Sequence, residues 1–249
     1  MPFPSLPAPS LPDPARCALF LDFDGVLVEI AARPEAVQVA PALPGLLRVL
    51  AERLGERLAV VSGRPVAEID DFLARAAPHV VGLHGAERRG PDGQVERQHP
   101  PAGIGPARAV LQAAVAAHPA LMLEDKGVAL ALHWRGAPAL EQTARQTAAR
   151  ALDAGGSALK LQPGKMVAEI KPANVSKGMA LAALLLERPF TGARPVMLGD
   201  DLTDESAFSV ARENGGEGVL VGAMRQTAAN ARLDDVAAVH RWLRALSKA

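Results

Sequence analysis

An apolar run that ends in two aspartates constrains the fold of this chain more than any other feature. Residues 19–26 read Leu-Phe-Leu-Asp-Phe-Asp-Gly-Val, so Asp22 and Asp24 lead into a turn at Gly25. Alternate residues of a strand share a face, and the two carboxylates therefore converge on one point. Such a pair repels unless a cation or a shared proton lies between them, and a hard cation such as Mg²⁺ fits oxygen ligands. The alternative is an ordinary strand-end turn, where Asp and Gly are common.

Two later apolar runs end in polar residues in the same manner. Residues 58–64 end in a hydroxyl, a glycine and a cation, and residues 195–205 end in an acidic cluster. Between these runs, Lys177 lies at the start of a helical stretch. On an open α/β sheet, ligands gather at the carboxyl ends of the strands. The three runs therefore predict one active site at that edge.

Alternating strand and helix patterns predict an α/β fold with a Rossmann-like parallel sheet and right-handed crossovers. The predicted strands are 18–22, 58–62, 80–83, 195–198 and 218–221. The predicted helices are 43–54, 65–76, 177–187, 204–213, 225–232 and 235–246.

The middle of the chain has a different pattern. It predicts a helix at 104–117, a strand pair at 121–134, a second helix at 138–153 and a hairpin that turns at Pro163-Gly164. We therefore expect an inserted α/β cap domain. The expected division is a disordered Pro-rich leader at 1–15, a core formed by 16–92 and 171–249, and a cap at 93–170.

Composition limits the possible partners. Lys+Arg and Asp+Glu both number 27, so no net charge attracts nucleic acid or an anionic membrane, and aromatic residues for base stacking are few. No apolar run approaches the ~20 residues of a membrane-spanning helix. Cys17 is the single cysteine, which excludes a disulfide framework and fits a reducing cytoplasm. We expect a cytoplasmic monomer that binds neither nucleic acid nor membrane.

The order of the motifs resembles the haloacid dehalogenase superfamily of phosphotransferases. The order is Asp-x-Asp-Gly, then Ser62, then Lys177, then Gly-Asp-Asp at 199–201. Within that superfamily, five segments together resemble the trehalose-6-phosphate phosphatase family: residues 19–25, 61–64, 82–87, 164–172 and 199–205. The resemblance implies a haloacid dehalogenase-like core and a small sugar phosphate as substrate.

The resemblance also implies a role for each motif residue. Asp22 is the expected nucleophile, which forms an aspartyl-phosphate, and Asp24 is the expected general acid. Mg²⁺ is expected to bind Asp22, Asp200 and the backbone carbonyl of Asp24. Lys177 is expected to supply a second positive charge. The remaining roles are a phosphate-binding hydroxyl on Ser62 and outer groups that orient metal-bound water on Asp201 and Asp204.

Substrate choice is expected to depend mainly on the cap. The resemblance assigns sugar contacts to Glu124, Lys126, Lys165 and Glu169, and Gly63 and Arg64 are the core residues expected to contact substrate. The alternative for the cap set is a cross-strand salt bridge on a solvated sheet face. Arg64 alternatively holds acidic residues of the site in place or lies on the rim of the site. His84 is expected to support residues of the site or to lie at a hinge, and not to be catalytic. His133 and Arg135 have no assigned role.

Several alternatives stay open at this level. Ser62 alternatively caps a helix, and Lys177 is alternatively an exposed first-turn lysine. Asp201, Asp204 and Glu205 are alternatively acidic residues at a helix N-terminus, which the helix dipole favours. Val26 stands where the superfamily usually has Thr, and we expect a modest effect on rate. Other candidate functions are a phosphatase of sucrose 6-phosphate or a mannosyl phosphoglycerate, and a non-catalytic sugar-phosphate sensor.

Overall fold

A computed structural model of the chain describes residues 5–31, 36–164 and 166–249. The chain divides into two compact units, which we describe separately. The first unit combines the chain up to Glu96 with Ser176–Ala249, and the second is Arg97–Val175. The second unit begins and ends a few residues C-terminal to the range 93–170 that the sequence predicts for the cap.

An eight-stranded, mostly parallel sheet forms the centre of the first unit, and the sequence predicts the parallel sheet and five of these strands. Its strands, numbered along the whole chain, are β1 (Cys17–Leu21), β2 (Leu58–Val61), β3 (His79–Gly82), β4 (Glu87–Arg89), β5 (Val95–Arg97), β10 (Arg194–Gly199), β11 (Glu217–Val221) and β12 (Ala231–Leu233). The strand order is β12-β11-β10-β1-β2-β3-β4-β5. β1 pairs in parallel with both β10 and β2, so the three motif-bearing strands are neighbours.

Helices cover both faces of this sheet. All five residues of β1 are buried, as expected for an apolar strand covered on both sides. Leu19 and Leu21 pack on one face with α1 (Leu43–Arg53), α2 (Val66–Leu73) and α7 (Val236–Leu246). Ala18 and Phe20 pack on the other face with α5 (Lys177–Leu185) and α6 (Glu205–Glu213).

The second unit is a smaller α/β layer pair. Its antiparallel sheet has the order β6-β7-β9-β8, from β6 (Met122–Asp125), β7 (Leu130–His133), β8 (Leu159–Gly164) and β9 (Val167–Pro172). Two helices, α3 (Ile104–Ala117) and α4 (Glu141–Gly155), cover one face. Its own apolar core includes the fully buried Trp134.

The helix predicted at 225–232 is wrong, because this segment is a loop that leads into β12. Alanines there favour helix locally, but tertiary hydrogen bonds decide the conformation. Asn230 exchanges two hydrogen bonds with the backbone of Gly218, one from each residue's N–H. Arg232 donates its N–H to the carbonyl of Pro7.

The described part of the Pro-rich leader makes specific contacts, which differs from the expected disorder. Leu6 packs against the apolar cluster under α5 and α6, and Pro9 is buried. The Arg57 guanidinium donates to the carbonyls of Pro14 and Ala15 at 3.0 and 2.9 Å. Prolines lower the entropy of the unfolded segment, and so they reduce the cost of fixing it.

No helix within the described ranges has the length and apolar character needed to cross a membrane.

His79 on β3 predicts an acid-sensitive core. Its ring is buried edge-on to Phe190, and neither ring nitrogen has a hydrogen-bond partner in the described residues. Burial, with Arg88 and Arg89 nearby, lowers the pKa of His79 to about 4. The unfolded chain therefore binds a proton that the folded chain excludes as the pH falls from 6.5 to 4, and stability is lost over that window.

We expect His79→Phe to remove an acid-dependent loss on the order of 2 kcal/mol in the free energy of unfolding. Urea denaturation at pH 7.5 and pH 4.5 measures it for both proteins. An equal acid loss in both would contradict the assignment to His79.

Candidate active site

A buried lysine between two carboxylates forms the centre of the candidate site. Asp22 follows β1 directly, and its N–H donates to the carbonyl of Leu198 on β10. Lys177 is the first residue of α5, and its Nζ lies 2.7 Å from Oδ2 of Asp22 and 2.7 Å from Oδ1 of Asp204. Lys177 is only 2% exposed. The alternative of an exposed first-turn lysine is therefore wrong.

The local electrostatics follow from this burial. A cation at a helix N-terminus opposes the helix dipole, and burial alone lowers the pKa of a lysine. For Lys177 burial is outweighed by Asp204 and Asp22, so its pKa is raised. Burial, and then the charge of Asp204, raises the pKa of Asp22 well above its ordinary value, although Lys177 opposes this. The site carries more negative charge than Lys177 compensates.

Asp200 completes an acidic cluster next to this pair. One carboxylate oxygen from each of Asp22, Asp200 and Asp204 lies within 4.8 Å of the others. Burial, together with Asp204, raises the pKa of Asp200 to about 7. Hard oxygen donors under mutual repulsion fit the chemistry that Mg²⁺ requires of its ligands.

Gly25 lets the first and last motifs approach each other. Its φ is +74°, and a Cβ there would lie 2.2 Å from Oδ2 of Asp200. Any other residue would meet both backbone strain and the Asp200 carboxylate. The next residue, Val26, is fully buried in the apolar cluster on one face of the sheet, so the core accommodates the change from the usual Thr.

Asp204 is held by protein donors on both of its oxygens. Oδ1 accepts from Lys177, and Oδ2 accepts from the N–H groups of Asp200 and Asp201 at 3.1 and 3.0 Å. Asp201 accepts from the N–H of Leu202 and forms a capping box with Asp204. The two residues predicted as outer groups therefore order the loop that carries Asp200.

Asp24 points to Arg64 instead of joining this cluster. Nε and Nη2 of Arg64 donate to the two carboxylate oxygens of Asp24 at 2.7 and 2.9 Å. Arg64 also pairs with Glu68 at 3.1 Å, and its guanidinium lies over the rings of Phe23 and Phe72. Arg64 thus fixes the side chain of Asp24, which is one of the roles that the sequence left open for it.

Ser62 is buried at the end of β2, where its Oγ accepts from the N–H of Arg64 at 3.1 Å. Ser62 does not cap α2. Instead, the carboxylate of Glu87, which the sequence left without a role, accepts from the N–H of Val66 at 2.8 Å. The only signal for Glu87 is its place at the end of the 82–87 motif.

A strained turn lies against this segment. Leu83 and His84 both have positive φ, at 48° and 57°, which side chains rarely adopt. Their N–H groups donate to the carbonyls of Arg64 and Ser62, and the His84 ring abuts Gly63 so closely that a Cβ there would lie 2.7 Å from it. Such strain persists where surrounding contacts over-determine it, as at functional sites.

The second unit contains its own charged cluster on one sheet face. Nζ of Lys126 lies 3.3 Å from Glu169 and 3.8 Å from Glu124. Nε2 of His133 lies 3.0 Å from Glu124, and this hydrogen bond lowers the pKa of Glu124. Lys171 lies 4.0 Å from Glu169. Three of the predicted sugar-binding residues therefore lie together, and His133 and Lys171 join them.

The fourth predicted sugar-binding residue, Lys165, lies outside the described residues.

Known proteins resemble this chain over most of its length. The trehalose-phosphatase family model matches residues 20–237. A probable trehalose-phosphate phosphatase of Sinorhizobium fredii is 43% identical over 205 residues, which cover 82% of this chain and 77% of that protein. The trehalose-6-phosphate phosphatase of Escherichia coli is 41% identical over 236 residues, 94% of this chain and 88% of that protein.

Solved structures have the same fold. The C-terminal domain of the C. albicans trehalose-6-phosphate phosphatase superposes with a TM-score of 0.82 at 22% identity, with 98% of each chain covered. An Aspergillus fumigatus trehalose-6-phosphate phosphatase has a TM-score of 0.70 at 26% identity, with 98% of this chain and 99% of that chain covered.

The two ion pairs of Lys177, with Asp22 and with Asp204, predict a large loss of stability in Lys177→Met. This change leaves Asp22 and Asp204 buried without their cation, so we expect a loss of about 3–5 kcal/mol in the free energy of unfolding at pH 8. Because the pKa of Asp22 is raised in the folded protein, protonation on lowering the pH to 5 restores part of the loss.

Urea denaturation of metal-free protein at both pH values measures this effect, with Lys177→Met/Asp22→Asn as the matched control. The double variant is expected to lose less stability at pH 8. A Lys177→Met cost that is the same at pH 8 and pH 5 would contradict the electrostatic explanation.

Proposed function

The chain belongs to the trehalose-phosphatase family of phosphoric monoester hydrolases, and we propose that it hydrolyses trehalose 6-phosphate to trehalose and phosphate. The main support is the cluster of Asp22, Lys177, Asp200 and Asp204 at the carboxyl ends of β1 and β10. A nucleophilic carboxylate, a fixed ammonium and a metal-binding set are what phosphoryl transfer requires.

In the proposed first step, an oxygen of Asp22 bonds to phosphorus while the bond from phosphorus to the sugar oxygen breaks. The product is an aspartyl-phosphate on Asp22 and the free sugar. Both reactants are anionic, so positive charge near the reacting atoms lowers the barrier. Lys177 supplies a fixed charge 2.7 Å from Asp22. Asp22, Asp200 and the backbone carbonyl of Asp24 would hold Mg²⁺, whose charge would supply the rest of the neutralisation.

Asp24 is the proposed proton carrier. It gives a proton to the leaving sugar oxygen, and then takes a proton from the water that attacks the aspartyl-phosphate. That attack releases phosphate and regenerates the Asp22 carboxylate. Arg64 holds Asp24 through two hydrogen bonds, so the carboxylate must leave at least one of them to reach the substrate. Ser62 and the backbone N–H groups near Gly63 are the proposed phosphate contacts.

The charged cluster of the second unit is the proposed sugar-recognition set. Trehalose offers hydroxyl groups and little apolar surface, so charged donors and acceptors suit it. Glu124, Lys126 and Glu169 already lie on one sheet face, and we propose that sugar hydroxyls take up part of their hydrogen bonding. Lys165 stays part of this proposal on sequence grounds. A cytoplasmic monomer likewise stays the expectation.

Two other functions remain distinguishable. A phosphatase of sucrose 6-phosphate or a mannosyl phosphoglycerate would keep the core site and differ in the second unit's residues. A non-catalytic sugar-phosphate sensor would bind without turnover. The buried Lys177 bridge is more than binding needs, and Val26 fits the apolar core, so neither observation favours lost activity.

Phosphate release from a panel of sugar phosphates, with Mg²⁺ or with chelator, tests the proposal. We expect selective, Mg²⁺-dependent turnover of trehalose 6-phosphate. Asp22→Asn is expected to lower the rate by at least about 10³-fold, because it removes the nucleophile, while substrate binding stays measurable by calorimetry. Selective turnover of a different sugar phosphate would discard the substrate assignment, and binding without turnover would favour the sensor.

Glu169→Ala separates recognition from chemistry. We expect it to lower kcat/KM for trehalose 6-phosphate about tenfold or more while changing kcat/KM for p-nitrophenyl phosphate little, because the small ester lacks the sugar hydroxyls. Arg108→Ala, which breaks an exposed ion pair with Asp125 in the same unit, is the matched control. An unchanged ratio of the two specificity constants in Glu169→Ala would remove Glu169 from the sugar site.

A further inference from the structure

The loop that carries Asp200 is held from two opposite sides. On one side, the Asp204 carboxylate accepts from the N–H groups of Asp200 and Asp201. On the other side, Nη2 of Arg225 donates to the carbonyl of Asp201 at 2.9 Å and contacts the carbonyl of Asp200 at 3.4 Å. The Asp204 carboxylate binds the N–H groups and the Arg225 guanidinium binds the carbonyls, so these peptide groups are held on both sides.

Arg225 is itself held by Glu205, the first residue of α6. Nη1 of Arg225 pairs with a carboxylate oxygen of Glu205 and donates to the carbonyl of Gln226. The Glu205 carboxylate also accepts from the hydroxyl of Thr227 at 2.9 Å and from the N–H of Ala228 at 2.6 Å. The guanidinium therefore has few accessible orientations.

Charge balance gives the pair a second consequence. An uncompensated cation close to the Asp200 loop would oppose a divalent ion by Coulomb repulsion. Glu205 neutralises the charge of Arg225, so Arg225 can order the Asp200 loop without repelling the divalent ion. A planar guanidinium suits this task, because its five fixed donors reach a carboxylate and several carbonyls together, which the single ammonium of a lysine does not do.

We propose that Arg225, oriented by Glu205, is a positioning residue that sets Mg²⁺ affinity by fixing the loop of Asp200. This inference rests on the proposed function, because it concerns the metal that the proposed chemistry uses. Arg225 does not contact the reacting atoms in this proposal and acts only through the backbone of Asp200 and Asp201.

The test is Mg²⁺ binding to metal-free protein, measured by calorimetry and by the dependence of Tm on Mg²⁺ concentration. We expect Arg225→Met to raise the apparent Mg²⁺ dissociation constant about tenfold or more, as is typical when an outer support of a metal ligand is removed. Arg225→Lys is expected to fall between Arg225→Met and wild type. Arg88→Met, a change on β4 that breaks an ion pair with Glu187, is the control and is expected to leave Mg²⁺ affinity unchanged.

Glu205→Gln tests the charge balance. It leaves Arg225 in place but uncompensated, so we expect weaker Mg²⁺ binding. Both proteins are measured at a series of matched KCl concentrations. The difference between their apparent Mg²⁺ dissociation constants is expected to shrink as KCl is increased, since added salt screens the repulsion. The loss in Arg225→Met is geometric and is expected to persist at every KCl concentration.

Kinetics supply a further readout. At saturating Mg²⁺, Arg225→Met is expected to recover most of its phosphate release with an unchanged KM for trehalose 6-phosphate. A variant that loses Tm equally with and without Mg²⁺, but binds Mg²⁺ as tightly as wild type, would overturn the inference and leave the proposed function intact. Absence of Mg²⁺ binding and of Mg²⁺-dependent turnover in wild type would overturn both.

Discussion

The buried ammonium of Lys177 is the constraint on which the catalytic unit depends. It joins the ends of two neighbouring strands, through Asp22 after β1 and Asp204 after β10, at the start of α5. Burial and the helix dipole both disfavour a positive charge at this position, so the ammonium is stable only beside its two anions. The same arrangement places three carboxylates, those of Asp22, Asp200 and Asp204, around one ammonium. Burial, together with the charge of Asp204, raises the pKa values of Asp22 and Asp200. This excess of negative charge fits the cation that the proposed function requires.

Charged side chains also hold the backbone and the side chains around this centre. Asp204 holds the N–H side of the Asp200 loop, while Arg225 holds its carbonyl side. Arg64 holds Asp24 in a comparable manner across the site. The Asp24 side chain and the loop that carries Asp200 are therefore each held by charged side chains. The supporting residues come from elements distant in sequence.

Much of the fold could be predicted from the chain alone. The apolar runs before Asp22, Ser62 and Asp200 became neighbouring parallel strands, and the strand pair at 121–134 became β6 and β7. The 225–232 segment was mispredicted because Glu205 and Gly218 bind it from outside the local window. The contacts of the Pro-rich leader with Arg57 and Arg232 were invisible for the same reason.

The sequence by itself determined which residues could carry the chemistry, because strand periodicity and the order of motifs are local properties of the chain. It also determined the glycine between Asp24 and Val26, although not that its missing Cβ makes room for Asp200. Only the tertiary structure decided the partners: Arg64 for Asp24, Glu87 for the start of α2, and Arg225 for the Asp200 loop. Ion pairs and hydrogen bonds between distant segments depend on distance and burial, which no spacing along the chain encodes.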